Sequence, residues 1–275
     1  MKHEIFSHFV TIGMVHFSPL EGSDGYEGKE IVLERAKQDL AMLLEGGVDM
    51  VMFENNFDTP KFSQLPNTVA RHFEELLQEL VPETTVLWGI APLWNDYRFG
   101  FEMCHKYGGM MVRVPVFVDS VETVYGTFLA DPKKVLETRK ELDAEEVLLL
   151  ADVQVKHATM LHPRPFIESV KEAREQGADG VIVTGSWTGD PPSVEQCAQA
   201  HHVADGHCLV LTGSGMTPEN LKDFKPYLNG SIVGTAFKEK VGIEEKGKPN
   251  IVGPEVRYSP EAIARFMKAA RQERG

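Results

Sequence analysis

The stretch CLVLTGSGMTPENLKDFKPYLNGSIVGT, residues 208–235, contains the structural unit that decides the fold. Its first apolar run, 208–211, predicts a strand that ends at a glycine-rich turn. A helix is predicted to begin at Thr217-Pro218, because a threonine cap followed by proline is typical of a helix start. A second strand, 231–233, ends at Gly234-Thr235. This order of elements indicates parallel strands joined by a right-handed crossover.

The same unit repeats along the whole chain. The apolar runs predict strands at about 9–15, 50–53, 85–90, 109–114, 147–151, 180–183, 208–211 and 231–233. Helices are predicted at about 30–45, 68–80, 95–106, from 131, 165–176, 193–202, from 217, and 260–271. Eight such units in 275 residues predict an α/β protein, a single-domain (β/α)₈ TIM barrel over residues 1–275. A hydrophilic insertion at about 238–256 precedes the last helix.

A doubly wound open sheet is the alternative fold. Such sheets usually have a GxGxxG turn after the first strand, whereas this chain has His16-Phe17-Ser18-Pro19-Leu20 there. The barrel is therefore favoured.

Composition narrows the class of partner and the compartment. The chain has 28 basic and 41 acidic residues, a net charge of −13, which argues against nucleic acid and anionic membranes. Its three cysteines have no CxxC spacing, which indicates a reducing compartment. No apolar run approaches the ~18 residues that cross a bilayer, so we expect a cytoplasmic protein without membrane insertion.

In TIM barrels the site lies where the strands end at their carboxyl side, and polar residues follow nearly every strand here. The two glycine turns leave backbone N–H groups free for an anion, which predicts a phosphate site. Its residues would be Gly213, Ser214, Gly215, Gly234 and Thr235, with Gly185 and Ser186 as a similar turn one strand earlier. The alternative is that these glycines only turn the chain.

The run ADVQVKHA, residues 151–158, predicts the proton-transfer groups. Asp152 follows the fifth strand, and Lys156 and His157 lie in the loop after it. A carboxylate near a lysine suits proton transfer at carbon, and a Schiff base on Lys156 is a second route. The alternative is an Asp152–Lys156 ion pair that braces the loop.

His16 and Glu54 follow the first two strands and, with Asp152, form a candidate nitrogen and oxygen site for a divalent metal. The alternative is a set of hydrogen-bonding groups at the barrel mouth. Arg113 either clamps an anion or pairs with Glu54. Trp94 and Trp187 lie in mouth loops, where they either stack on a ring of the ligand or pack. No organic cofactor is predicted.

Several blocks resemble one known family. They are IGMVHFSPLEGS at 12–23, FENNFDTP at 53–60, ADVQVKHA at 151–158, GADGVIVTGSWTGDPPS at 177–193 and LTGSGMTPENL at 211–221. In this order they resemble the BtpA family, also called BtpA/SgcQ. The resemblance implies a barrel of the ribulose-phosphate-binding class, and one photosynthetic member of the family is linked to photosystem I accumulation.

Two functions of different classes follow. The first is an enzyme that acts on a small phosphorylated sugar or related metabolite by aldol cleavage, isomerisation or epimerisation. The second is a non-catalytic assembly or stability factor, as in photosystem I biogenesis, with the 238–256 insertion as its partner surface. The polar ring at the strand ends favours the enzyme. Homo-oligomerisation is left open.

Overall fold

A computed structural model describes residues 5–238 and 253–272. Eight parallel strands close into a barrel in the order β1-β11-β10-β9-β7-β4-β3-β2. They are β1 Val10–His16, β2 Met50–Glu54, β3 Leu87–Ala91, β4 Met111–Val114, β7 Leu148–Val153, β9 Gly180–Val183, β10 Leu209–Thr212 and β11 Gly230–Val233. The predicted TIM barrel is confirmed.

The helices follow the barrel strands on the outside. They are α1 Lys29–Glu45, α2 Asn67–Leu80, α3 Tyr97–Tyr107, α4 Pro132–Glu141, α5 Phe166–Glu175, α6 Val194–Ala204, α7 Leu221–Phe224 and α8 Pro260–Arg271. The prediction of a helix from Thr217-Pro218 is wrong. The side chains of Thr217 and Asn220 cap each other's backbone N–H groups in a turn, and α7 itself has only 4 residues.

Alternation along the strands separates two hydrophobic cores. In β2, Val51 and Phe53 belong to the core between the strands and the helices, whereas Met50 and Met52 belong to the core inside the barrel. Side chains two residues apart point to the same face of a strand. The next inward position of β2 is Glu54, so the barrel interior changes from apolar to charged at the carboxyl ends of the strands.

A small antiparallel sheet lies outside the barrel, where the sequence predicts a plain loop. It consists of β5 Val121–Thr123, β6 Gly126–Phe128 and β8 Thr159–Met160, in the order β6-β5-β8. It covers a satellite cluster formed by Trp94, Val116, Val121, Phe128 and Val155. We call these three strands the flap. Strands of two or three residues are too short to give a clear alternation pattern, which is why sequence reasoning missed them.

The predicted insertion at 238–256 is described only at its two ends, and residues 239–252 lie outside the described part of the chain. Lys238 pairs with Tyr258 in an antiparallel bridge at the rim of the barrel. The side chains of Cys104, Cys197 and Cys208 are free and buried. Within residues 5–238 and 253–272, none of the helices is both long and apolar enough for a bilayer crossing.

Candidate functional site

Four predicted site residues form a connected row in the top layer of the barrel interior. His16 and Glu54 are register partners at the ends of β1 and β2, and Nε2 of His16 lies 3.3 Å from Oε2 of Glu54. Nη1 of Arg113 lies 3.9 Å from Oε1 of Glu54. On its other side, Arg113 donates two hydrogen bonds of 2.8 Å, from Nε and Nη2, to Asp152. The inward alternation of β1, β2, β4 and β7 brings these side chains together.

Arg113 is held as a fixed positive charge. Burial opposes that charge, but the bidentate contact with Asp152 and the nearby Glu54 outweigh burial and raise the pKa of Arg113. Among the described residues, the ion pair of Asp152 is with Arg113, and the Asp152–Lys156 pair that the sequence left as an alternative is absent. Arg113 pairs less closely with Glu54, as the sequence allowed.

The pKa values of His16 and Glu54 are both lowered, which fits one hydrogen bond between a neutral imidazole and a carboxylate. Burial lowers the pKa of His16 more than the contact with Glu54 raises it, so the imidazole is neutral near pH 7. Burial also pushes the pKa of Glu54 upward, but His16 and Arg113 outweigh burial, and the net pKa is below its ordinary value. A neutral imidazole thus faces a carboxylate, which assigns the proton to Nε2 as the donor.

The predicted metal ligands are not assembled as a set. The two oxygens of Asp152 accept from Arg113, which leaves His16 and Glu54 as the remaining pair. No cluster of three or more potential ligand side chains occurs within residues 5–238 and 253–272. A divalent metal stays a prediction of the sequence.

Lys156 differs from Arg113 in having no fixed partner. It lies in the loop after β7, and no ion pair or hydrogen bond joins its ammonium group to another described residue. Burial, and secondarily the charge of Arg113, lowers the pKa of Lys156 to about 8. Part of the population therefore carries a neutral, nucleophilic amine near physiological pH.

His157 is positioned but poorly suited to carry a proton. Its Nε2 lies 2.9 Å from Oγ1 of Thr188, and its ring centroid lies 5.5 Å from that of Trp187. Burial, followed by the charges of Lys156 and Arg113, lowers the pKa of His157 to about 4. The imidazole is neutral near pH 7, which favours a hydrogen-bonding role.

The two glycine turns offer free backbone donors. Among the described residues, none accepts a hydrogen bond from the N–H groups of Ser214, Gly215, Thr235 or Ala236. Gly213 differs, because its N–H donates to the carbonyl of Val183 at 3.0 Å. Four N–H groups on turns after adjacent strands match what an anion site requires. The α7 helix, with 4 residues, is too short to add a macrodipole.

The glycines also have packing reasons. A β-carbon at Gly234 would lie 2.6 Å from Cε1 of His16, and one at Gly213 would lie 3.3 Å from Nη2 of Arg113. At Gly215, whose φ is +78°, a β-carbon would lie 2.1 Å from the backbone nitrogen of Pro191. A β-carbon at Gly185 would also meet this segment, 2.5 Å from the carbonyl oxygen of Asp190. The loop after β9 is thus packed directly on the turn after β10.

Two lysines at this site were missed by sequence reasoning. Lys61 donates to the carbonyls of Asn55 and Asn56 at 3.1 and 2.8 Å, and Nζ of Lys238 lies 5.3 Å from the ring centroid of Phe57. Burial lowers the pKa of each lysine to about 8. Nothing in their local sequence signals burial. Although the chain is acidic overall, the mouth of the barrel collects buried cations.

All of these groups surround one cavity of about 1840 Å³ at the barrel mouth. The predicted residues that line it are His16, Glu54, Arg113, Lys156, His157, Gly185, Ser186, Gly213, Ser214, Gly215, Gly234 and Thr235. Asp152, which is 1% exposed, lies beneath the cavity floor and contacts Arg113, which lines the cavity. The structure therefore gathers the predicted set, although whether it is the functional site stays a prediction.

Comparison with known proteins shows which family the chain belongs to. The BtpA family model matches residues 8–249. The chain belongs to the BtpA family. The photosystem I biogenesis protein BtpA of Synechocystis is 32% identical over 96% of this chain and 91% of the relative. An uncharacterized protein of Pyrococcus furiosus is 36% identical over 87% of this chain and 90% of the relative.

The BtpA family fold is also found in solved structures of low sequence identity. Thiamine phosphate pyrophosphorylase from Pyrococcus furiosus is 12% identical, with a TM-score of 0.55 over 97% of each chain. This likeness supports the barrel fold and nothing finer.

Proposed function

We propose that this BtpA-family protein is an enzyme that acts on a small phosphorylated metabolite, with Lys156 as the reacting amine. The observation that carries the proposal is a lysine with a pKa of about 8, in a cavity that also presents four unpaired backbone N–H groups. A lowered lysine pKa inside a cavity is typical of catalytic amines. The structural neighbour thiamine phosphate pyrophosphorylase is named for a phosphorylated compound, which is consistent with this substrate class.

The chemistry follows from the arrangement of charges. The neutral amine of Lys156 accepts a proton from a carbon next to a carbonyl group, or attacks that carbonyl and releases water to form a Schiff base. Arg113 lies near Lys156 and stabilises the negative charge that develops on the carbonyl oxygen. Aldol cleavage, isomerisation and epimerisation all pass through such an electron-rich carbon, so each is compatible with these groups.

The phosphate end of the substrate is assigned to the turns after β10 and β11. The N–H groups of Ser214, Gly215, Thr235 and Ala236 would donate to its oxygens, and the buried lysines add positive potential around the cavity. Substitution of Gly215 is a poor test, because any side chain there strikes Pro191. Thr235 is the better position, since its side chain makes no hydrogen bond to a described residue.

A thermal-shift series with ribose 5-phosphate, glyceraldehyde 3-phosphate and inorganic phosphate tests the proposal. We expect the sugar phosphates to raise Tm for the wild type and for Thr235→Ser, but not for Thr235→Glu, whose carboxylate repels phosphate. Equal shifts in Thr235→Glu and Thr235→Ser, or no shift with any phosphate ester, would contradict the phosphate assignment.

The second candidate function is assembly of photosystem I, which the name of the Synechocystis relative favours. A Synechocystis strain without its own BtpA separates the two functions. If the chain is an enzyme, wild-type protein restores photosystem I and Lys156→Met does not. Restoration by both at equal protein levels would favour a non-catalytic factor.

A further inference from the structure

The cavity is too large for a sugar phosphate alone. Pockets for drug-sized ligands measure about 300–1,000 Å³, whereas this cavity measures about 1840 Å³. A phosphate at the turns after β10 and β11 occupies one side of the barrel mouth. The remaining volume lies toward the loops after β9, β7 and β4, which follow in that order around the barrel.

Aromatic side chains line this remaining volume. Trp187, in the loop after β9, keeps 43% of its surface exposed, although it lines the cavity. Tyr125 reaches the cavity from the turn of the flap, which follows β4. Since β7 lies between β9 and β4, Lys156 and His157 are located between the two aromatic residues. An exposed indole inside a cavity is a stacking surface that the protein itself leaves uncovered.

The polar atoms in this region favour a ring with heteroatoms over an alkyl chain. The hydroxyl of Tyr125 has no hydrogen-bond partner among the described residues, and burial raises the pKa of Tyr125. Polar groups in such positions gain when a ligand supplies donors or acceptors. A heteroaromatic ring supplies both a flat face and a polar edge.

We propose that the ligand is a phosphate ester whose other end is a flat heteroaromatic ring, as in a nucleoside 5′-monophosphate. The phosphate lies on the turns after β10 and β11, the ring stacks on Trp187, and the reacting carbon lies between them near Lys156. This inference rests on the proposed phosphate assignment for one end of the ligand. The inference about the ring rests on Trp187 and Tyr125, which take no part in the phosphate assignment.

Equilibrium binding measured by tryptophan fluorescence tests the inference. Trp88 is 5% exposed, and Trp94, which also lines the cavity, is 6% exposed, whereas Trp187 is 43% exposed, so Trp187 offers the largest surface for contact quenching by a ligand. The probes are adenosine 5′-monophosphate, uridine 5′-monophosphate, ribose 5-phosphate, adenosine and decyl phosphate. We expect the two nucleotides to quench the fluorescence and to bind at least tenfold more tightly than ribose 5-phosphate, in the range of base–aromatic stacking.

Three variants separate the two ends of the ligand, with calorimetry as the readout where Trp187 is replaced. Trp187→Ala should weaken nucleotide binding about tenfold and leave ribose 5-phosphate unchanged, whereas Trp187→Phe should restore nucleotide binding to within about threefold. Thr235→Glu should weaken every phosphate ester and leave adenosine unchanged. Thermal denaturation of each variant checks that it is folded.

Each contrary outcome has a distinct meaning. Equal affinity for ribose 5-phosphate and the nucleotides overturns the ring inference and leaves the phosphate proposal standing. Adenosine binding as tightly as its monophosphate, with no effect of Thr235→Glu, overturns the phosphate proposal and leaves the ring. Decyl phosphate binding more tightly than the nucleotides overturns the ring in favour of an apolar chain. Failure of every probe to bind overturns both.

Discussion

Arg113 and Lys156 are neighbouring cations at the mouth of the barrel, yet they differ in their partners. Arg113 lies on β4 and receives both oxygens of Asp152, with Glu54 on its other side. Lys156 lies in the loop above β7 and shares no ion pair with a described residue. The guanidinium of Arg113 stays charged and is balanced by carboxylates. The ammonium group of Lys156 is repelled by Arg113 and loses its proton easily.

The proposed site would use both residues because their charges behave differently. A fixed guanidinium stabilises an anion, but it cannot take up a proton at ordinary pH. A lysine with a pKa of about 8 can take up a proton, provided that no carboxylate holds it in the charged form. By directing Asp152 to Arg113, the barrel keeps the neighbouring amine titratable.

The largest expected effect comes from removing the partner of the fixed charge. Asp152→Asn should lower the free energy of unfolding by about 3–5 kcal/mol, because it leaves the buried Arg113 with only the more distant Glu54. Urea denaturation measures the change. Glu141→Gln, which breaks an exposed pair with Arg98, is the matched control and should cost at most about 1 kcal/mol. Equal costs for the two variants would contradict the difference between buried and exposed pairs.

Removing the unpaired charge should act in the opposite direction. Lys156→Met should raise the free energy of unfolding at pH 7 by about 3 kcal/mol, because burial lowers the lysine pKa from about 10.4 in the unfolded chain to about 8, and each pKa unit is worth about 1.4 kcal/mol. The same denaturation assay applies, with the 84% exposed Lys133 changed to Met as a control that should have no effect. Destabilisation by Lys156→Met would mean that Lys156 has a strong partner after all.

The smallest expected effect is the pH dependence of the stability that Lys156→Met gains, and it is the effect most specific to the titration of Lys156. The unfolded lysine titrates near 10.4, whereas folded Lys156 titrates at about 8. Between these values the unfolded chain binds more protons, so wild-type stability rises with pH relative to Lys156→Met. The difference between the two proteins should therefore shrink from pH 7 to pH 10 and vanish near the upper limit.

A pH series of urea titrations on both proteins tests this expectation. Lys61 and Lys238 are present in both proteins, so their contributions cancel in the difference. A difference that stays constant from pH 7 to pH 10 would show that Lys156 titrates normally.

The architecture was predictable because its signals are local. Apolar runs that end at turns placed the barrel strands to within about two residues, and strict alternation with helices indicated closure into a barrel. The sequence-based prediction was wrong for two local elements. The flap strands are too short for a pattern, and the Thr217-Pro218 signal produced a capped turn instead of a long helix.

The partnerships within the site were less predictable, because they depend on closure of the barrel. Asp152 and Arg113 are 39 residues apart, and nothing near Asp152 in sequence distinguishes Arg113 from Lys156 as its partner. Burial of Lys61 and Lys238 likewise arises only when β2 and β11 close beside β1. Sequence reasoning found the residue types at the strand ends, whereas the charges they carry were set by the fold.

The close packing of Gly215 on Pro191 couples the two ends of the cavity mechanically. A side chain at position 215, in the turn after β10, would collide with the backbone of Asp190 and Pro191 in the loop that also carries Trp187. Substitution at this one position would therefore disturb the turn proposed to hold the phosphate and the segment that bears Trp187 together. For protein engineering, position 215 is a place at which the width of the cavity mouth could be altered.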